Sequence, residues 1–364
     1  MSFDLSLDDE QRALKETLHD FAEGVLRPAA RDAESAGRTS DEILRQIHEI
    51  GVAAPVPEEH GGGGTFDALT YCIAAEELAW GDPGIAHHAL SSGLAAVVIG
   101  LAGSDEQRSK YLPRFAEDRP IASFVATGEK IAAGDVDSLE TRVDGGKVVG
   151  DKYGVVGATE AAFGVVVGRS DAGLAAAIVE SDAWDIVRPE AKLGLEAAPS
   201  AVVRFDGEAD ALPSGDGLTK GLLWSKLLSG GVALGCARAS FEYASQYATE
   251  REAFGRPIGA FQAISFKIAD MATEVDAARI ALWRAAWLIE RGEASFEDVH
   301  QALGQVFSAA VKCGDDGVQV LGGHGYIRDH LVEKWFRDAV TLSVFDAPDV
   351  LGDALVGSAA GAKE

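Results

Sequence analysis

Near its C-terminus the chain reads Gln319-Val-Leu-Gly-Gly-His-Gly-Tyr-Ile, then Arg337-Asp338, and eight residues past that aspartate stands Asp346, in Val344-Phe345-Asp346-Ala347-Pro348. A carboxylate such as Asp346 can take a proton as a general base, and the paired glycines Gly322 and Gly323 let backbone approach a ligand closely. Upstream lie Arg251-Glu-Ala-Phe254-Gly255-Arg-Pro-Ile and Phe261-Gln262-Ala-Ile-Ser. Read singly, each residue has a plain structural role as well: Arg251 as a solvated arginine at a helix end, Gly322-Gly323 as a helix C-cap.

The elements that position these residues fall into three runs. From Ser6 the chain is helical, with Leu14, Leu18, Phe21, Val25 and Leu26 on one face until Arg27-Pro28. Further helical patterns cover about Asp41 to Ile50, Phe66 to Trp80 and His87 to Leu101, so residues 1–118 read as an all-helical domain. The Gly61 to Gly64 run has neither a preceding strand nor a following Gly-Lys-Ser/Thr, and reads as a flexible interhelix loop rather than a phosphate loop. Residues 119–213 change to short β-rich runs at Ile121 to Ala126, Lys147 to Val149, Val165 to Val167, Leu174 to Val179 and Ala201 to Phe205, predicting an antiparallel, barrel-like β domain. Residues 214–364 hold four long helical segments, about Leu222 to Thr249, Ala260 to Arg291, Ser295 to Leu321 and Glu333 to Leu355, with Ser295 and Asp298 spaced as a capping box. Four such helices in series predict a bundle, and the fold class is α+β.

Composition narrows the function. A chain of 364 residues with 47% apolar content has material for two or three domains and a sizeable core. Its 58 acidic residues against 32 basic ones, a formal charge of -26, would repel nucleic acid and anionic membranes. Cys72, Cys236 and Cys313 are far apart and odd in number, which suggests buried, reduced thiols rather than a disulfide framework or a metal site. The start is acidic, with no apolar segment approaching the ~20 residues that span a bilayer, so a cytoplasmic location is the default expectation.

With Pro57-Glu-Glu-His-Gly-Gly and Glu76-Glu77-Leu78-Ala79 in the first domain, these motifs resemble the acyl-CoA dehydrogenase family over essentially the whole chain. The resemblance implies the same helical, β, helical architecture, FAD as cofactor, an acyl-CoA substrate, a tetramer and electron-transfer flavoprotein as acceptor. In that family a carboxylate base removes the α-proton of an acyl thioester while hydride leaves the β-carbon for the flavin. The flavin site is shared between neighbouring chains. One set of residues serves a chain's own flavin, and another is donated to the neighbour's.

The donated set is intact. By resemblance, Arg251 meets the flavin pyrophosphate, Phe254 and Gln262 are its companions, and Gln319, Gly322 and Gly323 form the backbone turn near the adenosine. A rigid guanidinium fork suits a pyrophosphate. His324, inside that turn, has a structural or adenosine-side role, and the pair His87-His88 reads as structural.

The other set is eroded. The family's Thr-Glu-Pro-x-Ala-Gly-Ser-Asp becomes Thr127-Gly-Glu-Lys-Ile-Ala-Ala-Gly134-Asp135, keeping the threonine and losing the serine. Its Trp-Ile-Thr/Ser-Asn, which packs on the isoalloxazine, becomes Gly154-Val155-Val156-Gly157, without the aromatic surface or the hydroxyl. Asp346 occupies the place of a glutamate that Gly-Thr normally follows; here Ala347-Pro348 follows instead. Aspartate withdraws the carboxylate by about 1.5 Å, one C–C bond, and a misplacement on the order of 1 Å can cost ~100-fold in rate. Some relatives place the base at the position of Ser225, but serine is no base without an activator.

Loss of one set beside retention of the other fits division of labour. Certain bacterial relatives, including ones acting on sterol side-chain CoA esters, pair two different chains in a heterotetramer with fewer flavins than chains. The expectation is such a partner subunit, in an enzyme of fatty acid or sterol side-chain metabolism. The alternatives are a self-sufficient homotetrameric dehydrogenase or related flavin oxidase using Asp346 as base, and a flavin-free scaffold. Gly93, Gly230 and Gly231 fit either room for a bulky acyl group or close helix packing.

Overall fold

The computed structural model describes residues 6–65, 67–117, 123–129 and 136–345. Asp8 caps the first helix, α1 (Asp9–Phe21), in a box with Gln11. The sequence predicts an end at Arg27-Pro28, yet a π turn, Ala22–Leu26, leads directly into α2 (Arg27–Ala36). Pro28 falls in the first turn after that wider register, where its missing N–H costs little. Next come α3 (Asp41–Ile50), α4 (Ala68–Gly81), α5 (Pro83–Ser91), α6 (Leu94–Ala102) and α7 (Asp105–Tyr111). The expected single helix from His87 to Leu101 is therefore two, broken at Gly93, where an added Cβ would lie 1.7 Å from the Ala53 carbonyl oxygen. The stretch Pro83–Ala102 is long and apolar enough to cross a membrane, but 83% of its most apolar window is buried within the fold. The Gly61 to Gly64 run is a loop tied by the Gly64 N–H donating to Val56 O at 3.0 Å.

The middle of the chain folds into one eight-stranded sheet. Its strands are β1 (Ser123–Ala126), β2 (Arg142–Asp144), β3 (Lys147–Val156), β4 (Phe163–Ser170), β5 (Gly173–Glu180), β6 (Trp184–Pro189), β7 (Ser200–Glu208) and β8 (Asp210–Ala211). They run in the order β6-β7-β3-β2-β4-β5-β8, with β1 beside β4. The sheet is antiparallel as expected in its β2–β3, β3–β7, β4–β5, β5–β8 and β6–β7 pairings, and differs from the expected barrel-like domain in two details. β4 pairs in parallel with β1 and β2, because the chain passes through a β2–β3 hairpin before β4 returns beside β1. The sheet is also open, with β6 and β8 at its ends. β3 pairs with β7 through a bulge between Lys152 and Val155, which holds Tyr153 and Gly154 out of register.

The last third is the expected bundle: α8 (Asp216–Glu250), a β9–β10 hairpin (Glu252–Ala253 with Arg256–Pro257), α9 (Gln262–Glu290), α10 (Phe296–Leu321) and α11 (Val332–Phe345). The Ser295–Asp298 capping box is present at the start of α10. α4 is buried almost throughout and packs along α8 in the main core. Ion pairs tie α4 to both α8 and α9: Arg238 of α8 pairs with Glu76 at 3.0 Å and Glu77 at 2.6 Å, and Arg279 of α9 with Glu76 at 2.8 Å. Burial pushes the Glu76 carboxyl up, but the two guanidinium groups outweigh it and hold it below the usual carboxylate range. All three cysteines are buried and free.

Candidate functional site

Where the sheet meets the bundle and α5 lies a cavity of about 370 Å³. Thr127 is on its wall, just past β1, and so are Tyr153 and Gly154 in the β3 bulge and Val156 beyond it. The eroded positions therefore surround one space. The Thr127 segment is pinned from behind. Glu129 accepts hydrogen bonds from Lys152 Nζ at 2.8 Å and from the Glu140 N–H at 2.7 Å, and Lys152 donates to Thr127 O at 3.3 Å. Burial raises the Glu129 carboxyl, but Lys152 and the backbone donors outweigh that and keep it below its ordinary value. Gly154, at φ +67°, has its N–H bound to Glu190 Oε2 at 3.1 Å. A Cβ added there would sit 3.0 Å from Phe345 Cδ1, so the ring of Phe345, at the end of α11, fills the space beside this glycine.

The opposite wall is helical. His87 and Ser91 reach it from α5, and Ser225, Lys226 and Ser229 from α8. The Ser225 hydroxyl donates to Leu222 O at 2.7 Å within its own helix. His87, read from sequence as structural, is thus a cavity residue; its i, i+4 spacing from Ser91 was the available signal. The glycines offered as room for a bulky acyl group face helices instead: a Cβ at Gly230 would lie 2.6 Å from Leu282 Cδ1, and one at Gly231 2.5 Å from Ala75 Cβ.

The Arg337-Asp338 pair holds the cavity's third side. Arg337 Nη1 donates to Leu193 O at 2.6 Å, and the Leu195 N–H donates to Asp338 Oδ1 at 2.6 Å. Leu195 lines the cavity and has φ +53°, a left-handed conformation that persists in a leucine only when its surroundings impose it. Lys334, 1% exposed, sits between Asp338 at 2.8 Å and Asp82 at 2.6 Å. Asp82 in turn caps α5 through the Ile85 N–H at 2.9 Å. Burial would lower the Lys334 ammonium, but the two aspartates hold it above its ordinary range; burial and the neighbouring Asp338 push the Asp82 carboxyl up. One buried cation thus ties α5, α11 and the 193–195 loop together. Asp346 lies outside the described residues.

The other candidate residues stand elsewhere, and none lines the cavity. Arg251 caps the C-terminus of α8, and the hairpin after it turns through Phe254 at φ +53° and Gly255 at φ +78°. Two left-handed residues suit the type I′ turn that a two-residue hairpin prefers, but the first is a phenylalanine, 96% exposed. Gln262 opens α9, and Gln319 is on the last turn of α10, both exposed. Gly322 ends α10 at φ +59°, and a Cβ at Gly322 or Gly323 would meet no atom within 4 Å. The Tyr247 hydroxyl bonds His324 Nδ1 at 2.8 Å, fastening the glycine turn to the end of α8. The side chains of Arg251, Gln262 and Gln319 make no hydrogen bond or ion pair with a described residue.

Comparison with known proteins agrees with this architecture. Residues 8–119 match the family described as "Acyl-CoA dehydrogenase, N-terminal domain" and residues 216–348 the one described as "Acyl-CoA dehydrogenase, C-terminal domain". The chain is 34% identical to the benzylmalonyl-CoA dehydrogenase of Aromatoleum aromaticum, over 93% of this chain and 94% of that one. It is 32% identical to an acyl-CoA dehydrogenase of Bacillus subtilis, with coverage of 93% and 94%. Among solved structures, butyryl-CoA dehydrogenase from Megasphaera elsdenii superposes with a TM-score of 0.86 at 25% identity, covering 98% of this chain and 100% of that one. The chain belongs to the acyl-CoA dehydrogenase family, oxidoreductases with FAD as cofactor.

Proposed function

We propose that this chain is one half of a shared flavin site: it lends Arg251, Phe254, Gln262 and the Gln319 to Gly323 turn to the FAD of a neighbouring acyl-CoA dehydrogenase-like chain that carries the catalytic base, in a heterotetramer. One observation carries the reading. A guanidinium and two amides whose side chains make no hydrogen bond or ion pair with a described residue stand at one end of the bundle beside an exposed aromatic and two open glycines, away from the chain's own cavity.

That set fits the pyrophosphate and adenosine of a dinucleotide. Arg251 can fork two phosphate oxygens, and Gly322 and Gly323 leave their backbone uncovered where a Cβ would stand. The ring end fits less well, because Gly154 and Val156 offer the cavity neither an aromatic face nor a hydroxyl, leaving Thr127 as the family residue retained there. When bound, FAD takes hydride from the acyl β-carbon. What this chain contributes is charge neutralisation by Arg251, orientation by the turn and exclusion of water by Phe254. Relatives named for CoA thioesters support acyl-CoA as the substrate class, and electron-transfer flavoprotein is the acceptor the family implies.

A second reading draws on Phe345, which lines the cavity and immediately precedes Asp346. In it, Asp346 takes the α-proton in this chain's own cavity. Purifying the chain alone and beside the product of its neighbouring gene separates the two, with flavin absorbance, mass and acyl-CoA-dependent dye reduction as readouts. The shared-site reading expects flavin and turnover only in the complex, and little change there from Asp346→Asn. Full flavin occupancy and turnover by the lone chain, lost by orders of magnitude in Asp346→Asn, would sink it.

A further inference from the structure

We infer that Leu195 is a specificity-determining residue of the cavity: Asp338 holds it against its backbone preference, and its side chain bounds the space that an acyl group enters. The inference rests on the acyl-CoA reading above.

Two non-glycine residues among the described ones hold a left-handed backbone, Leu195 at φ +53° and Phe254 at φ +53°. Such conformations cost free energy, persist only where the surroundings over-determine them, and gather at functional sites. Phe254 stands in the exposed set at the bundle end, and Leu195 on the cavity wall. The neighbouring position shows that this loop can carry glycine. A Cβ at Gly194 would lie 2.4 Å from the Arg337 carbonyl oxygen, so that residue is glycine for lack of space. Position 195 has the backbone that favours glycine, yet a leucine occupies it, so the side chain contributes more there than the strain costs.

The loop around it is fixed on several sides. The Leu195 N–H donates to Asp338 Oδ1 at 2.6 Å, and its carbonyl accepts from the Ala198 N–H at 2.9 Å. Arg337 Nη1 donates to Leu193 O at 2.6 Å, Thr39 Oγ1 to Ala197 O at 3.0 Å, and Lys192 Nζ to Ala198 O. Asp338 is the positioning residue, because its second oxygen takes Lys334 at 2.8 Å and its carboxylate is thereby fixed. Leu195 thus meets the cavity from an immobilised backbone. Leu94, Val125, Leu228 and Phe345 line the same space. Hydrocarbon on a fixed wall discriminates by size: one methylene more or less in such a pocket changes binding about 10- to 200-fold.

Packing by Leu195 within the core registers in stability alone, whereas a boundary to the ligand registers in ligand preference. Butyryl-CoA and 3-phenylpropionyl-CoA differ by a phenyl group in place of the terminal methyl, so their affinity ratio reads the room in the cavity. The flavin-loaded protein, with its partner chain where one co-purifies, is titrated calorimetrically with each and with free coenzyme A. Leu195→Ala in this chain alone is expected to move the ratio at least about tenfold toward the phenyl thioester. Leu195→Gly, which removes the side chain and the strain together, should do the same and serves if the alanine variant folds poorly. Asp338→Ala should move the ratio in the same direction by releasing the loop. Asp338→Asn, which keeps an oxygen to accept the Leu195 N–H, should stay near the parent. Leu234→Ala, buried in the same core but off the cavity wall, should lower stability and leave the ratio unchanged. An unchanged ratio in the Leu195 variants or in Asp338→Ala, or an equal shift in Leu234→Ala, overturns the inference and leaves the acyl-CoA reading standing. Neither thioester binding better than free coenzyme A overturns both.

Discussion

The cavity and the exposed end of the bundle are both built of polar residues, but they differ in who satisfies them. Around the cavity the chain closes its own circuits: Lys334 between Asp82 and Asp338, Glu129 on Lys152, the strained Leu195 on Asp338. At the bundle end Arg251, Gln262 and Gln319 have no partner among the described residues, and Phe254 holds an unfavourable backbone with its ring in solvent. Residues satisfied internally are explained by this chain's own folding. Residues left unsatisfied in a costly conformation need something outside it. Substitutions in the first region should therefore register in the stability of the lone chain, and substitutions in the second only in assembly and cofactor retention.

The largest effect is expected at Lys334. Lys334→Met leaves Asp82 and Asp338 buried without their cation, a situation that costs about 3–5 kcal/mol. Urea unfolding of the lone chain measures it, and amide exchange at Leu195 should accelerate as the 193–195 loop loosens. A loss below about 1 kcal/mol would mean that the three cavity walls are not tied through this ion.

His88, buried on α5 beside the cavity residue His87, gives a pH signature in the same region. Burial first, and His87 second, lower its pKa from the ordinary value to about 4. The unfolded chain therefore binds a proton near pH 6.5 that the folded chain does not accept until near pH 4. Stability should fall as pH drops through that window, by on the order of 3 kcal/mol at its lower end. Glu34, Glu76 and Glu129, whose carboxyls are held below their ordinary values, add their losses only below about pH 4.5. His88→Gln should flatten the upper part of the window in a urea series from pH 7 to 4.5. An unchanged slope would place the titration elsewhere.

Arg251→Ala tests the other region. Lone-chain stability should stay within about 0.5 kcal/mol of the parent, as for an exposed residue without partners. In the assembled complex, losing hydrogen bonds to a charged group, worth about 1.5–3 kcal/mol, should weaken FAD retention roughly 10- to 150-fold in a flavin-release assay. Unchanged flavin content would detach Arg251 from the shared site.

Much of this contrast was legible in the sequence, and the part that was not has a physical cause. The bundle helices announced themselves by long apolar periodicity, and the Ser295–Asp298 cap fixed one boundary to the residue. The parallel pairing of β1 with β4 was hidden, because strand direction depends on partners 40 residues apart. Strand β6 was missed because its residues are mostly exposed and show no alternation. The donated set was readable as a cluster of spacings, since a site facing outward is built from contiguous motifs. The cavity was not: His87, Glu129, Lys192 and Lys226 come from four separate segments, and only tertiary structure brings them around one cavity. Gly230 and Gly231 show the converse limit, for a small residue looks alike in sequence whether it opens a pocket or admits a neighbouring helix.

The smallest expected effect is the sharpest test of the contrast. A left-handed conformation costs a non-glycine residue about 1–2 kcal/mol, and a glycine gives back about 0.5–1 kcal/mol of that through its greater freedom in the unfolded chain. Phe254→Gly should therefore leave the lone chain equally stable or up to ~1 kcal/mol more stable, although it deletes an aromatic side chain. The same substitution should weaken association in the complex, because among the described residues the ring meets Phe261, at 6.1 Å between centroids, and is otherwise exposed to whatever the complex sets against it. If instead Phe254→Gly destabilises the lone chain and leaves assembly untouched, the ring belongs to this chain's own fold and the division between the two regions fails at its most exposed residue.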